Sequence, residues 1–335
     1  METVSRVHAH TLVQWAKDRP KVVVLSADLT SSTESDLFRD TYPDRFFSMG
    51  MAEQNMLSFA GGLAREGFHP FVHTFAVFLY RRALDQLAMS VAYPNLPVRL
   101  FGFLPGLTTP GGVTHQATDD MAVLRAIPNL TLLEPGDATE VESVLDVVDA
   151  MAGPVYVRML RGEIPRLFAP EAPMRFNRAR ILSTGSDITL LSSGICTEEA
   201  LRATHALRTR GVSIMHLHIS TLKPFTDPTI LAAVSRPRHG VLTMENHTLI
   251  GGLGSAVAEV MAEAGVGQRL VRLGIKDCYA HGASRPYLLR EYRLDALALV
   301  QAVERLLNEP LGIGADELAA VRLEAVHSAA KAEGL

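Results

Sequence analysis

Short runs of apolar, β-branched residues alternate along this chain with longer segments whose apolar positions recur every three to four residues. The first set of runs lies at 22–25, 70–73, 97–101, 130–133 and 155–157, and the periodic segments predict helices near 5–17, 53–65, 79–92, 117–126 and 137–151. A strand apolar at nearly every position is buried on both faces, so the alternation predicts parallel sheets covered by helices on each side. A second set begins after a Pro-containing stretch, with runs at 188–191, 212–217 and 240–243 and helices near 197–210, 252–265 and 293–308. The predicted fold class is α/β: two doubly wound domains at 1–165 and 184–312, a linker at 166–183, and an Ala/Glu-rich helical tail at 313–335. There is no internal repeat and no low-complexity tract.

Composition narrows the class without naming a chemistry. A chain of 335 residues exceeds one ordinary core, and 47% apolar residues, 20% charged residues and a net charge of -4 describe a globular protein without a nucleic-acid footprint. No apolar run reaches the roughly 18 residues of a membrane helix, and Met1 to Arg6 lacks the basic-then-apolar order of a secretory signal. The expected location is the cytoplasm. Two cysteines, Cys196 and Cys278, fit a reducing compartment and have no zinc or redox spacing.

Several stretches can carry chemistry. Gly251-Gly252-Leu253-Gly254-Ser255 opens a helix after a strand, where free backbone N–H groups can hold a phosphate, but it lacks the rest of a dinucleotide fingerprint and reads better as a structural turn. Ser192-Ser193-Gly194 and Ser31-Ser32-Thr33 are strand-to-helix turns without the form of a hydrolase nucleophile elbow. The histidines are scattered without metal-ligand spacing, and His8 and His10, two apart, point to different helix faces. The Gly/Pro/Thr-rich stretch from Leu107 to Gln116 places His115 in a long loop at the carboxyl edge of a parallel sheet, where such folds bind ligands. Phe75 and Phe78, three apart, suit a core as well as a pocket. Glu53 opens the helix of 53–65, where the helix dipole favours an acid. Ala52, Ala60, Gly61 and Gly62 leave little bulk nearby, so a large group has room to pack close. A carboxylate held against an apolar ligand can share a proton with a ring nitrogen.

Taken in order, these stretches resemble the C-terminal half of transketolase. SADLTSS (26–32), FFSMGMAEQNMLSFAGGLAREG (46–67), HTFAVF (73–78), GGVTHQATDDMAVLRAIPNLTLLEPGDATE (111–140) and GPVYVRMLRGEIP (153–165) match that family's pyrimidine-binding domain, while HISTLKPFT (218–226) and MENHTLIGGLGSAVAE (244–259) are similar to its C-terminal domain. The resemblance implies a transketolase-type transferase that uses thiamine diphosphate. Glu53 falls on the glutamate that bonds N1′ of the aminopyrimidine and makes the cofactor its own base. Phe75 and Phe78 match aromatic positions of the pyrimidine pocket, Asp28 an acidic position near the thiazolium, and His115 a histidine that bonds the ketol oxygens. Arg6, Ser32 and Arg158 or Arg161 lie where the family gathers an anion clamp, a task that suits a guanidinium.

Departures from the family bear on the substrate. Where ordinary transketolases carry Gly-Glu-Asp-Gly before the histidine, this chain has Thr109-Pro110-Gly111-Gly112, and Phe103 stands in place of a phosphate-binding histidine. A branched, deoxygenated or sulfonated sugar is therefore as open as a sugar phosphate. The Gly-Asp-Gly…Asn motif that holds Mg2+ and the diphosphate is missing; Pro135-Gly136-Asp137-Ala138 is only a near miss. The resemblance thus implies no metal ligand here and a separate N-terminal-half subunit that supplies Mg2+ and diphosphate binding, two copies of each chain forming a heterotetramer. Three other readings stay open at this point: the beta subunit of a 2-oxo-acid dehydrogenase, an enzyme similar to deoxyxylulose-phosphate synthase, or a non-catalytic partner.

Overall fold

The computed structural model describes residues 2–321 and 323. Fourteen strands are named in chain order: β1 (Thr3–Ser5), β2 (Val22–Ser26), β3 (Phe46–Ser48), β4 (His69–Phe75), β5 (Arg99–Phe103), β6 (Thr131–Leu133), β7 (Val155–Met159), β8 (Glu163–Pro165), β9 (Arg180–Ser183), β10 (Ile188–Ser192), β11 (Ile214–His218), β12 (Thr221–Lys223), β13 (Gly240–Thr248) and β14 (Leu270–Ile275). They form a seven-stranded sheet in the order β12-β6-β7-β5-β4-β2-β3, a five-stranded sheet in the order β14-β13-β10-β11-β9, and the ribbon β1-β8. Both large sheets are parallel except for one edge strand each, β12 and β9. The predicted α/β class with a mainly parallel first sheet is what the chain adopts.

The apolar runs became strands for the reason their composition gives. Every residue of β2, β5, β7 and β10 is buried, so each strand has an apolar layer on both sides. Helices at Val7–Trp15, Glu53–Arg65, Ala138–Asp149, Cys196–Thr209, Leu253–Glu263 and Ala296–Leu307 lie on the six most regular periodic segments. The predicted helix at 79–92 instead breaks into Ala76–Arg82, Leu84–Gln86 and a wide-wound turn at Leu87–Ala92. The helix predicted at 117–126 starts only at Asp120. The elements that escaped the pattern are β1, β3, β8, β9, β12 and the longer β14, and the helices Asp36–Thr41, Pro228–Val234 and Arg285–Glu291. Of the predicted tail, the helix Ala315–Ala320 is described, and 322 and 324–335 lie outside the described residues.

The two halves share structure. β12, from the second half, pairs with β6 at the edge of the first sheet. One core cluster runs from Leu12, Val24 and Phe71 through to Leu217, Val241 and Val257. The second covers the far face of the second sheet, around Leu207, Leu242 and Leu299, and takes in one residue of the first half, the fully buried Leu107. Burying a leucine there stabilises the contact by roughly 1.5–3 kcal/mol.

Candidate active site at the carboxyl edge of the first sheet

In the first sheet the chain passes from β2 to β3 on one side and then returns to β4 on the other. At such a reversal the connections on either side of the crevice leave the carboxyl ends of two neighbouring strands in opposite directions, which opens a cleft. Asp28 follows β2 there, exposed and with φ 60, a left-handed conformation that aspartate tolerates. Phe75 ends β4, and His115 lies in the loop after β5.

Glu53 reaches this edge by way of a tight turn. Gly50 has φ +66, Ala52 N–H donates to the Gly50 carbonyl at 2.7 Å, and the helix begins at Glu53. The side chain is 3% exposed, yet it borders an open hollow lined by Met51, Ala52, Gln54, Asn55 and Arg82. Arg82 Nη1 donates to Glu53 Oε1 at 2.7 Å, and the same guanidinium lies 3.9 Å above the Phe78 ring. Phe78 in turn has its ring centroid 5.7 Å from that of Phe75 and 5.4 Å from that of His115, whose Nδ1 bonds the Thr114 hydroxyl at 2.8 Å. Four residues chosen from sequence, Glu53, Phe75, Phe78 and His115, are thus joined by direct contacts, with Arg82 as the link. The small residues of the helix have another cause than the one expected. A Cβ on Gly61 would sit 2.5 Å from the Ser90 carbonyl, so Gly61 serves close packing against Leu87–Ala92, while Gly62 faces open space.

A second group forms where the ribbon β1-β8 folds the N-terminus back on the chain. Arg6 N–H donates to the Gly162 carbonyl at 3.0 Å and its guanidinium pairs with Asp36. Glu34 lies between, accepting from Gly162 N–H at 2.7 Å and Ala9 N–H at 3.4 Å; burial raises its pKa, opposed by those bonds and by the nearby charges of Arg6 and Arg161. Ser32 belongs to the turn at 28–35 just before Asp36. Arg6 and Arg161 therefore both lie close to Glu34, and Ser32 precedes Glu34 by two residues in the same turn.

Arg158 does not join them, and its expected place in an anion clamp is corrected. It is fully buried, with Nε 2.9 Å from Asp120 Oδ2, Nη1 on Glu134, and Nη2 donating to the carbonyls of Ala117 and Asn246 at 3.1 Å each. A buried guanidinium with every arm engaged is a structural tie between the halves.

The other candidates prove to be internal caps. Glu245 of β13 accepts from Leu253 N–H at 2.6 Å and Gly254 N–H at 2.8 Å, filling the position a phosphate would take on the Gly251–Ser255 turn. Burial nevertheless raises its pKa to about 7. Asp137 caps Ala138–Asp149 through Glu140 N–H at 2.8 Å and also accepts from Leu167 and Phe168 N–H groups, so both its oxygens are used. Sequence reasoning passed over Arg82, although Phe78 and Arg82 are four apart on one helix, the spacing that sets a cation over a ring. It also passed over Gln116, whose amide bonds the Thr109 and His281 carbonyls, because the second partner is far along the chain.

Comparison with known proteins places the whole fold in one family. The family profiles "Transketolase, pyrimidine binding domain" and "Transketolase, C-terminal domain" match residues 3–166 and 177–299. A putative uncharacterized transketolase family protein, y4mN, of Sinorhizobium fredii (strain NBRC 101917 / NGR234) is 42% identical over 90% of this chain and 88% of its own. The 6-deoxy-6-sulfo-D-fructose transketolase subunit SqwH of Clostridium sp. (strain MSTE9) is 36% identical over 87% of this chain and 90% of its own. A solved structure described as a split gene transketolase, inactive beta4 tetramer, superimposes with a TM-score of 0.84 at 35% identity, covering 92% of this chain and 99% of that one.

Proposed function

Because the chain belongs to the transketolase family, we propose that it is one subunit of a split, thiamine diphosphate-dependent transferase that moves a two-carbon ketol unit between sugars. The observation that carries this reading is the guanidinium of Arg82, which lies 3.9 Å over the Phe78 ring with an N–H on Glu53. A planar N–H donor on that ring and that carboxylate is the recognition an aminopyrimidine requires, so the residues present fit the cofactor. Once bound, thiamine diphosphate supplies the carbanion chemistry that breaks and remakes the bond beside a ketone.

The chain's own residues do the rest. Glu53 accepts the ring N–H and holds the proton there, in a setting buried enough to strengthen the bond. Phe75 and Phe78 hold a flat ring by stacking and area burial. Asp28, exposed after β2, would border the thiazolium. His115, with Nδ1 fixed by Thr114, turns Nε2 to the hydroxyls of the sugar. Arg6, Arg161 and Ser32 receive an anionic end group. Phe103 takes no part, being packed in the core against His8 and His73.

The open side of the Glu53 hollow and the missing Gly-Asp-Gly motif support a second chain, an N-terminal-half subunit bringing Mg2+ and the diphosphate site, with two copies of each chain and two cofactors between chains. The relative named as a subunit and the split-gene neighbour described as an inactive beta4 tetramer support the need for a partner subunit. Sulfonate and phosphate are both tetrahedral oxyanions that a guanidinium binds alike, so a 6-sulfo ketose is as fitting a donor as its phosphate. The test is to co-purify this chain with the adjacent gene's product and assay ketol transfer from fructose 6-phosphate and its 6-sulfo analogue with thiamine diphosphate and Mg2+. Turnover that depends on Glu53 is expected; a pair that binds no cofactor overturns the proposal.

A further inference from the structure

We propose that the second half of the chain sets the position of His115, with Asn246, Gly282 and Tyr292 as positioning residues. This rests on the reading of His115 as a substrate contact. The loop of residues 104–116 leaves β5 of the first sheet, yet three of its anchors come from the other half of the chain.

At its stem, Leu107 is buried in the second core, its N–H donates to Asn246 Oδ1 at 2.9 Å, and Asn246 Nδ2 donates to the Pro105 carbonyl at 3.1 Å. The fit is close enough that a Cβ on Gly106 would lie 2.3 Å from the Asn246 amide. At its far end, Gln116 Nε2 donates to the His281 carbonyl at 3.2 Å. At its tip, Gly282 presses on the backbone just before the histidine: a Cβ there would stand 2.6 Å from the Pro110 carbonyl and 3.4 Å from Gly112 N. Gly112 has φ +72, and its carbonyl accepts from His115 N–H at 2.9 Å, so the turn that carries the histidine starts from the residue Gly282 touches. Tyr292 steadies the pressing segment, its hydroxyl 3.3 Å from both N and Nδ1 of His281. On its other side the His115 ring meets Phe75 and Phe78. The His115 ring therefore packs on the aromatic wall of one half, while the loop that carries it is held at Pro110, Gly112 and Gln116 by the His281-Gly282 segment of the other. Moving that segment moves His115 without touching Glu53.

The test is Gly282→Ala in the complete enzyme of this chain and its partner, with a crystal structure of the variant. A methyl at 282 has no room against Pro110, so His115 is expected to shift by about 1 Å, and KM for the ketose to rise roughly tenfold with a smaller change in kcat. Thiamine diphosphate affinity should stay within about twofold, and in a His115→Ala background the same substitution should change KM by less than about twofold, because the side chain it acts through is gone. Unchanged KM, or effects that multiply in the double variant, overturns the proposal. If Gly282→Ala does not fold, Tyr292→Phe removes only the hydroxyl and should raise KM about two- to threefold, in proportion to one lost hydrogen bond; no change there overturns it as well. An unmoved loop in the crystal structure overturns it whatever the turnover, whereas a wild-type complex without cofactor strikes only the functional reading.

Discussion

Strand order reverses between β2 and β4 in the first sheet and between β10 and β13 in the second, and each of these places should open a crevice at the strands' carboxyl ends. The second is plugged. Glu134 reaches into it from the first half, so near the turn after β10 that a Cβ on Gly194 would lie 2.5 Å from its carboxylate, and Glu245 fills the helix start at Gly252–Gly254. Arg158 sits between the halves and neutralises Glu134 and Asp120. The first crevice also holds a buried glutamate, but its one charged partner, Arg82, has a side chain 45% exposed and borders an open hollow. Burial and charge are common to both places. What separates them is that the glutamates of the second are tied by Arg158 and by helix-start N–H groups, whereas Glu53 borders an open hollow, and that opening is the better mark of a ligand site.

The contrast can be broken in four ways, from the largest effect to the smallest. Glu53→Gln should cut turnover of the reconstituted enzyme by about 10²–10⁴, the scale of a lost acid–base contact, with the thermal midpoint little changed; a variant that keeps full turnover would make the open crevice as silent as the plugged one. Arg158→Met strands Asp120 and Glu134 in the interior and should lower unfolding free energy by about 3–5 kcal/mol in urea titration. A loss under about 1 kcal/mol would mean that the plug is not held by charge.

Glu245 gives a pH test. Its pKa is raised from 4.5 to about 7 in the folded protein, so between those values the native state keeps a proton that the unfolded chain releases. Its contribution is fully present below 4.5 and is lost as pH rises through 7, at about 1.4 kcal/mol for each pH unit between the two values. Glu245→Gln, which cannot ionise, should therefore gain stability relative to wild type between pH 5 and pH 8, by about 2–3 kcal/mol in paired urea titrations. A constant difference across that range would refute a carboxyl strained by burial. Last, Arg82→Ala removes a half-exposed ion pair and should cost less than about 1 kcal/mol of stability. A larger loss, measured the same way, would make the Glu53 pair as structural as that of Arg158.

Much of the site was legible in residue types and spacing. Glu53, Phe75, Phe78 and His115 lie on local features: a helix start after a glycine turn, a strand end, and a Gly-rich loop. Arg158 and Arg161 could not be separated, because three positions along the chain say nothing about which arginine the second half will cover. The bulk missing around Glu53 was misread for a similar reason, since Ser90 comes from a helix with no sequence signal of its approach to Gly61.

The sequence by itself determined the alternation of the main strands and helices, the mainly parallel character of the sheets and the residue types of the site, because those follow from hydrophobic period and local backbone preference. Tertiary structure alone decided which polar groups are spent and which are left facing outward. It brought Arg6 beside Arg161 by pairing β1 with β8, carried Leu107 into the other half's core, and set Gly282 behind His115. Each of these joins residues far apart in the chain, and such contacts depend on how whole layers pack, which no local pattern encodes.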